Sequence, residues 1–157
     1  MLTSRETDHK VTISYNILLR MGLNMSLQKK LLDWMGLMKT DFPASLELIA
    51  DDIHWVNFLP DHVPFGGEYD GHAGLMQYFG ELAATFEVGD YVYEEFEFIE
   101  TGNTVVMVGA ETNAKVIPTR KVFDLPFVWV VKFNDEGKIC YLREHNDTAD
   151  IGDAFRS

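Results

Sequence analysis

The amino-acid sequence predicts an α+β fold: a cone-shaped, curved sheet of mixed or antiparallel strands with three to four helices packed on its concave face. Three observations carry this expectation. Apolar residues recur at helical spacing through the first half, over Leu27–Met38 and Leu75–Phe86. From Val92 onward the pattern is that of strands separated by turns. The chain of 157 residues, 46% hydrophobic, has no repeat, linker or low-complexity tract, which suits one domain around one core.

Residues 1–24 form an extension of undecided structure ahead of a domain spanning 25–157. Val11 to Leu19 is too polar for a signal-peptide core, and no small-residue cleavage site follows it. Ser26 can cap a helix from Leu27 to Thr40, on which Leu27, Leu31, Trp34 and Met38 form one stripe. Asp41-Phe42-Pro43 stops it, Pro43 opens a short helix from Ala44 to Ile49, and Asp51-Asp52 ends that in turn. Ile53 to Phe58 reads as a strand with Trp55 and Asn57 on one face. Pro60, Pro64 and Gly66-Gly67 make a loop before a return strand, Glu68 to Asp70. Gly71-His72 opens a second long helix, to about Phe86, with Leu75, Phe79, Leu82 and Phe86 at helical spacing.

Four strands follow. Val92 to Ile99 turns at Thr101-Gly102-Asn103 into Thr104 to Ala114, whose Val105, Met107, Gly109 and Glu111 share a face. Val122 to Phe133 is almost wholly apolar, as expected of a strand covered on both faces. The last strand follows the turn Asn134-Asp135-Glu136-Gly137. Its Cys140, Leu142, Glu144 and Asn146 point one way, while Tyr141, Arg143 and His145 point the other. Asp147 is placed to cap a terminal helix.

Composition excludes several function classes. A net charge of −12 argues against nucleic acid and against anionic membrane surfaces. Cys140 is the only cysteine, so an internal disulfide and a cysteine metal cluster are both excluded. No histidines stand at ligand spacing, no apolar run reaches transmembrane length, and a reducing, cytoplasmic compartment is the default. No metal or organic cofactor is implied.

Several motifs resemble a known family. Trp55-(x4)-Pro60, then Pro64-Phe65-Gly66-Gly67-Glu68-Tyr69-Asp70-Gly71-His72 entering a helix, is similar to the SnoaL-like branch of the nuclear transport factor two-like superfamily. So are Arg120-Lys121-Val122-Phe123-Asp124-Leu125-Pro126-Phe127-Val128 and Gly137-Lys138-Ile139-(x3)-Arg143-Glu144-His145-Asn146-Asp147. The resemblance spans about residues 27–155 and implies the cystatin-like roll of that superfamily. It leaves the reaction open, because this fold serves isomerases, cyclases, epoxide hydrolases and non-enzymes.

In polyketide cyclases and epoxide hydrolases of this fold, an acid lies on the last strand, three residues before the Asp that precedes the terminal helix. That position is Glu144. The epoxide hydrolases add an Arg and an Asp where this chain has Gly109 and Glu111, and a Tyr and an Asn where it has Trp55 and Asn57. In ketosteroid isomerases the proton-abstracting Asp matches Asn57 and the oxyanion-stabilising Asp falls near Pro126, which disfavours that mechanism.

The resemblance and the face-sharing together make Glu144, Glu111 and Asn57 the candidate catalytic residues. Trp34, Met38, Trp55, Phe79, Met107, Leu142 and Asn146 are the candidate pocket lining. Two acids sharing an apolar cavity cannot both ionise cheaply, and the missing Arg leaves them without an obvious cation. An ion pair of Glu111 with Lys115 or Arg120 is the competing explanation for that residue. Asp147 reads as a helix cap, His54 and His72 as solvated or capping groups near the pocket mouth, and Met76 as packing with Trp34, Met38 and Phe79. The expected ligand is a small apolar carbonyl or epoxide compound, transformed by acid–base chemistry. The alternative is a non-catalytic binder or accessory subunit. Tyr93 and Tyr141 on the outer sheet face suggest a homodimer.

Overall fold

A computed structural model describes residues 25–157, so the N-terminal extension read from residues 1–24 lies outside the described residues. The first helix, α1 (Leu27–Thr40), starts where its cap predicts, with Ser26 Oγ accepting from the Lys29 amide at 3.1 Å. Leu31, Trp34 and Met35 form its buried face. The short α2 (Phe42–Glu47) begins and ends two residues earlier than the Ala44–Ile49 pattern suggests. The reason is that Asp41 is its cap, accepting from the Ala44 amide, which leaves Pro43 inside the first turn.

That early end lets the chain extend at once into β1 (Ile49–Asn57). Asp51 and Asp52, expected to terminate a helix, are instead exposed residues within this strand. The strand β2 (Gly67–Asp70) returns antiparallel to it and leads directly into α3 (Gly71–Thr85).

The segment read as one strand from Val92 to Ile99 is broken. Two short strands that were not expected precede it, β3 (Phe86–Glu87) and β4 (Asp90–Tyr91), and it becomes a single 3-10 turn (Tyr93–Glu95) and β5 (Glu97–Thr101). All three strands pair with the long β6 (Thr104–Val116). They cannot be one strand because β6 bends: its register on the next strand slips between Glu111 and Ala114, where Asn113 has a φ of 58°. Gly89 lies against the bend so closely that a Cβ there would collide with the Thr112 carbonyl oxygen.

The remaining elements are β7 (Val122–Phe133), β8 (Ile139–Asn146) and α4 (Thr148–Ala154). The sheet order is β2-β1-β8-β7-β6-β3, with β4 and β5 also on β6. The β1–β8 pair is parallel and the other pairs are antiparallel, so the sheet is mixed.

Two expectations about faces need correction. β7 is not covered on both sides: Leu125, Phe127, Trp129, Val131 and Phe133 are buried, while Pro126 and Lys132 between them are exposed and Val128 and Val130 are half-buried. Its unbroken apolar run therefore reflects valine's fit to a pleated surface as much as burial. In β8, Cys140 is an extra residue between the pairs Phe133–Ile139 and Lys132–Tyr141. This bulge puts Ile139 in the core and turns Cys140 outward, its Sγ 3.5 Å from the Lys132 carbonyl. Beyond it Leu142 and Glu144 face inward together.

No helix among the described residues is long and apolar enough to cross a membrane. Asp147 accepts from the amides of Ala149 and Asp150 and caps α4. Asp147→Ala is expected to lower stability by about 1 kcal/mol, seen as a lower urea midpoint at unchanged slope.

Candidate active site

Glu144 sits near the end of β8, directly between Asn57 of β1 and Trp129 of β7 in the strand registers. It is 6% exposed. Its Oε1 accepts from Trp55 Nε1 at 3.0 Å and from the Tyr78 hydroxyl at 2.9 Å. Its Oε2 has only a long contact, 3.5 Å, from Asn57 Nδ2. Asn146 Nδ2 donates to Asn57 Oδ1 at 2.9 Å, which turns the Asn57 amide so that its NH₂ faces the carboxyl. The two oxygens are therefore unequal, and Oε2 is the less engaged of the two.

Burial dominates the electrostatics and pushes the Glu144 carboxyl up to about 7. Hydrogen bonds from Tyr78 and Trp55 pull it back, the charge of Glu111 pushes it up further, and Asn146 pulls it down. Such a group divides between acid and base forms near neutral pH, where general acid–base catalysis works best. Tyr78, wholly buried beside this carboxyl, is held far above the ordinary tyrosine range by burial and then by Glu144's charge, so it stays a hydrogen-bond donor.

Glu111 enters the same cavity from β6 and is 5% exposed. It accepts from the Gly89 amide and from the Tyr91 hydroxyl, the latter at 3.3 Å. Tyr91 is its register partner across the β4–β6 pair. Burial raises its pKa too, opposed by the Gly89 and Tyr91 hydrogen bonds and by the nearby Lys39. Lys115, considered as a partner for Glu111, pairs instead with Glu87 at 3.1 Å. The cavity does contain a cation, then, but it comes from the end of α1: Lys39 Nζ lies 4.9 Å from the Tyr91 ring centre.

The two carboxyls face a cavity of about 410 Å³. Helix α1 contributes Trp34, Met35 and Met38, α3 contributes Tyr78, Phe79 and Leu82, and the sheet contributes Trp55, Phe127 and Trp129. Of the expected lining, Trp34, Met38, Trp55, Phe79 and Asn146 are in the wall. Met107 and Leu142 are not: both are completely buried and pack in the core without reaching the cavity surface. Met76 is 47% exposed on the far side of α3. Neither His54 nor His72 lines the cavity. His54 Nδ1 lies 2.6 Å from Asp70 Oδ1, and His72 Nε2 lies 3.2 Å from the Ile49 carbonyl.

Gly109 has a packing reason. The Phe96 ring lies 2.7 Å from where a Cβ would be, so the space that a longer side chain would need is filled by an aromatic wall. Pro126 is exposed, while its neighbours Leu125 and Phe127 point inward, leaving that part of the cavity without an acid.

Sequence reasoning missed Tyr78, Tyr91 and Lys39. Tyr78 was detectable, because it stands at i+3 from Leu75 and four residues before Leu82, on the same helical stripe. Tyr91 and Lys39 carried no such signal, since the bend in β6 and the exit of α1 position them.

With this geometry in place, comparison with known proteins identifies the class. Residues 31–142 match the SnoaL-like domain family, and the chain belongs to it. An NTF2-like protein from Burkholderia xenovorans LB400 is 26% identical with a TM-score of 0.73, the match covering 85% of this chain and 100% of that one. A protein from Rhodopseudomonas palustris, provisionally called an isomerase, is 16% identical with a TM-score of 0.69, covering 84% and 97%. TerC, co-crystallised with polyporic acid, is 23% identical with a TM-score of 0.64, covering 83% and 98%. The last two likenesses concern the fold alone. No functionally curated protein matches the sequence.

The raised pKa of Glu144 has a consequence for stability. Its value of about 7 in the folded protein exceeds the ordinary 4.5, so between them the native chain holds more protons than the unfolded one. Stability attributable to this group is therefore greatest below about pH 4.5 and falls as pH rises to about 7, by on the order of 3 kcal/mol. Glu144→Gln should flatten that slope and be more stable than the wild type at about pH 8. Urea titrations across this pH range check it.

Proposed function

We propose that this protein is a cofactor-independent acid–base enzyme acting on a small, largely apolar carbonyl compound, with Glu144 as its base. The observation that carries this reading is a carboxyl poised near neutrality, with one oxygen held only by a long contact, on the wall of an apolar cavity. A substrate with its α-carbon near Oε2 loses a proton to Glu144. The C–H electrons form a carbon–carbon double bond and the carbonyl π pair moves to oxygen. Where a carbon–carbon double bond is conjugated with the enolate, return of the proton from Glu144 to the far (γ) carbon re-forms the carbonyl and completes an isomerisation. Attack by the enolate carbon on a second carbonyl of the same molecule forms the ring bond, and the alkoxide it leaves takes the proton from Glu144. Neither needs an external reductant or oxidant.

Asn57 orients the carboxyl and the substrate. Glu111, with Tyr91 and Lys39 around it, is the second proton carrier of the cavity. Epoxide opening is the less supported variant, because Phe96 occupies the space beside Gly109 that a cation on that strand would need. TerC, of the same fold, has been crystallised with polyporic acid, which accords with a small organic ligand here.

The test needs no knowledge of the natural substrate. The wild-type protein should accelerate exchange of the α-hydrogens of β-tetralone in heavy water, followed by NMR, with a rate that rises as Glu144 ionises through about pH 7. Glu144→Gln should slow this exchange about 10²-fold or more with an unchanged circular dichroism spectrum. Saturable binding of β-tetralone without any acceleration would identify a carrier instead.

We also propose that the outer sheet face meets a second copy of this chain. Val106, Val108, Val128 and Val130 give that face an apolar centre, beside an Ile99 that is well exposed. Arg143 lies over the Phe58 ring, and its Nε has no acceptor among the described residues. Tyr93 does not belong to this face, since it packs on Tyr91 and Phe96 beside Lys39. Light scattering at micromolar concentration should give twice the monomer mass, and Val130→Glu should return it to the monomer value. A wild-type monomer mass would remove the proposal.

A further inference from the structure

We infer that Lys39, at the mouth of the cavity, is the subsite for a carboxylate on the substrate. The substrate class is then an apolar keto acid, with its ketone held toward Glu144 and its carboxylate at the opening. This deepens the proposed function and rests on it for the identity of the base.

Most donors on the cavity wall are already committed. Trp55 and Tyr78 donate to Glu144, and Asn57 Nδ2 makes its long contact with the same carboxyl. The Gly89 amide and the Tyr91 hydroxyl donate to Glu111, and Asn146 donates to Asn57. The Trp34 and Trp129 indole nitrogens are buried and present no surface to the cavity. Lys39 differs from all of these. Among the described residues it is the one basic side chain of the wall, and it is exposed. Among the same residues its ammonium meets no acceptor atom and lies over ring faces, 4.9 Å from the centre of Tyr91 and 5.9 Å from that of Tyr93.

A lysine in the last turn of a helix commonly serves the helix's own free carbonyls. Here other donors serve two of those carbonyls, Thr40 Oγ1 at Gly36 and the Asp41 amide at Leu37. Lys39 is turned instead onto the Tyr91 ring, which is part of the cavity wall. Its charge also reaches Glu111 and pulls that carboxyl's pKa down against the effect of burial. Two neighbours on the wall thus locate the ammonium on the cavity side. Ring faces hold it without neutralising it, so its N–H groups stay available to a ligand.

Exposure identifies the mouth. Lys39 and Val88 are the exposed members of the wall, whereas Glu144 and Glu111 are 6% and 5% exposed. A small molecule that fills this cavity of about 410 Å³ has its body among the rings and one end beside Lys39. One ammonium matches one negative charge. A phosphate ester carries close to two, and no second basic side chain of the wall, among the described residues, meets the excess. In a chain of net charge −12 most of the surface repels an anion, so a cation at the opening makes entry selective. The rings beneath the ammonium keep water from one side of the pair, which strengthens it over an ion pair on an open surface.

The experiment uses β-tetralone-6-carboxylate, whose ketone and carboxylate lie at opposite ends, and its 6-carboxamide, a neutral compound of nearly the same shape. By calorimetry the wild-type protein should bind the acid about tenfold more tightly than the amide, an advantage that shrinks as salt is raised. Lys39→Met, with an unchanged circular dichroism spectrum, should bring the two affinities to within about twofold, and Lys39→Arg should restore the preference. The phosphate ester of 6-hydroxy-β-tetralone should bind no better than the acid.

Equal wild-type affinities, no binding of either compound, or an acid preference that survives in Lys39→Met would overturn the assignment. Tighter binding of the phosphate ester would overturn the choice of a carboxylate. Acid preference without exchange of the α-hydrogens in heavy water would keep the subsite and remove Glu144 as base. Exchange without acid preference would keep the base and remove the subsite.

Discussion

A carboxyl group taken out of water at the meeting point of three strands sets the terms for the rest of this structure. Glu144 is flanked by Asn57 on one side and Trp129 on the other, and helix α3 closes over it with Tyr78. A buried carboxylate is tolerated only if hydrogen bonds replace its hydration. Here the donors come from separate elements, so β1, β8 and α3 must hold their mutual positions for the group to be satisfied at all. Even so, the donors do not win. Desolvation outweighs them and leaves the group near neutrality, the regime in which a carboxyl can move protons in both directions.

Glu111 shows the same physics with a different balance. It too is raised by burial, but a backbone amide, a tyrosine and a lysine all act on it in the opposite sense. Its surroundings depend on a chain of small constraints: a bend in β6, a glycine at position 89 with no room for a side chain, and a two-residue strand that delivers Tyr91. The Phe96 ring over Gly109 belongs to the same construction. Within a family whose fold hosts several chemistries, these local replacements distinguish one cavity from another.

The two faces of the sheet differ in their side chains. The inner face carries Trp55, Trp129 and Phe127, and Trp34 of α1 packs across it to join Trp55 to Trp129. Such rings bury much area with little side-chain entropy to lose, which keeps a large cavity from collapsing. The outer face has valines of modest size at its centre, with Arg143 and Tyr141 beside them.

Much of this was legible in the amino-acid order. The period of apolar residues located α1 and α3, Ser26 and Asp147 marked helix starts, and the alternation of side chains put Asn57, Glu111 and Glu144 on cavity-facing sides of their strands. These features are local, because they follow from the helical and strand repeats and from the capping of a chain end. Where the reading failed, a non-local cause was at work. The Cys140 bulge, the broken strand after Phe86 and the half-open β7 come from pairing and bending of the whole sheet. Met107 and Leu142 share a face with the acids yet never reach the cavity, because curvature puts packed core behind one end of that face. Tyr91 and Lys39 arrive beside Glu111 from segments distant in sequence. The order of residues by itself thus determined which side chains face the same way. Tertiary structure alone decided which of them meet and how far water is kept from them, since distance and dielectric are properties of the assembled whole.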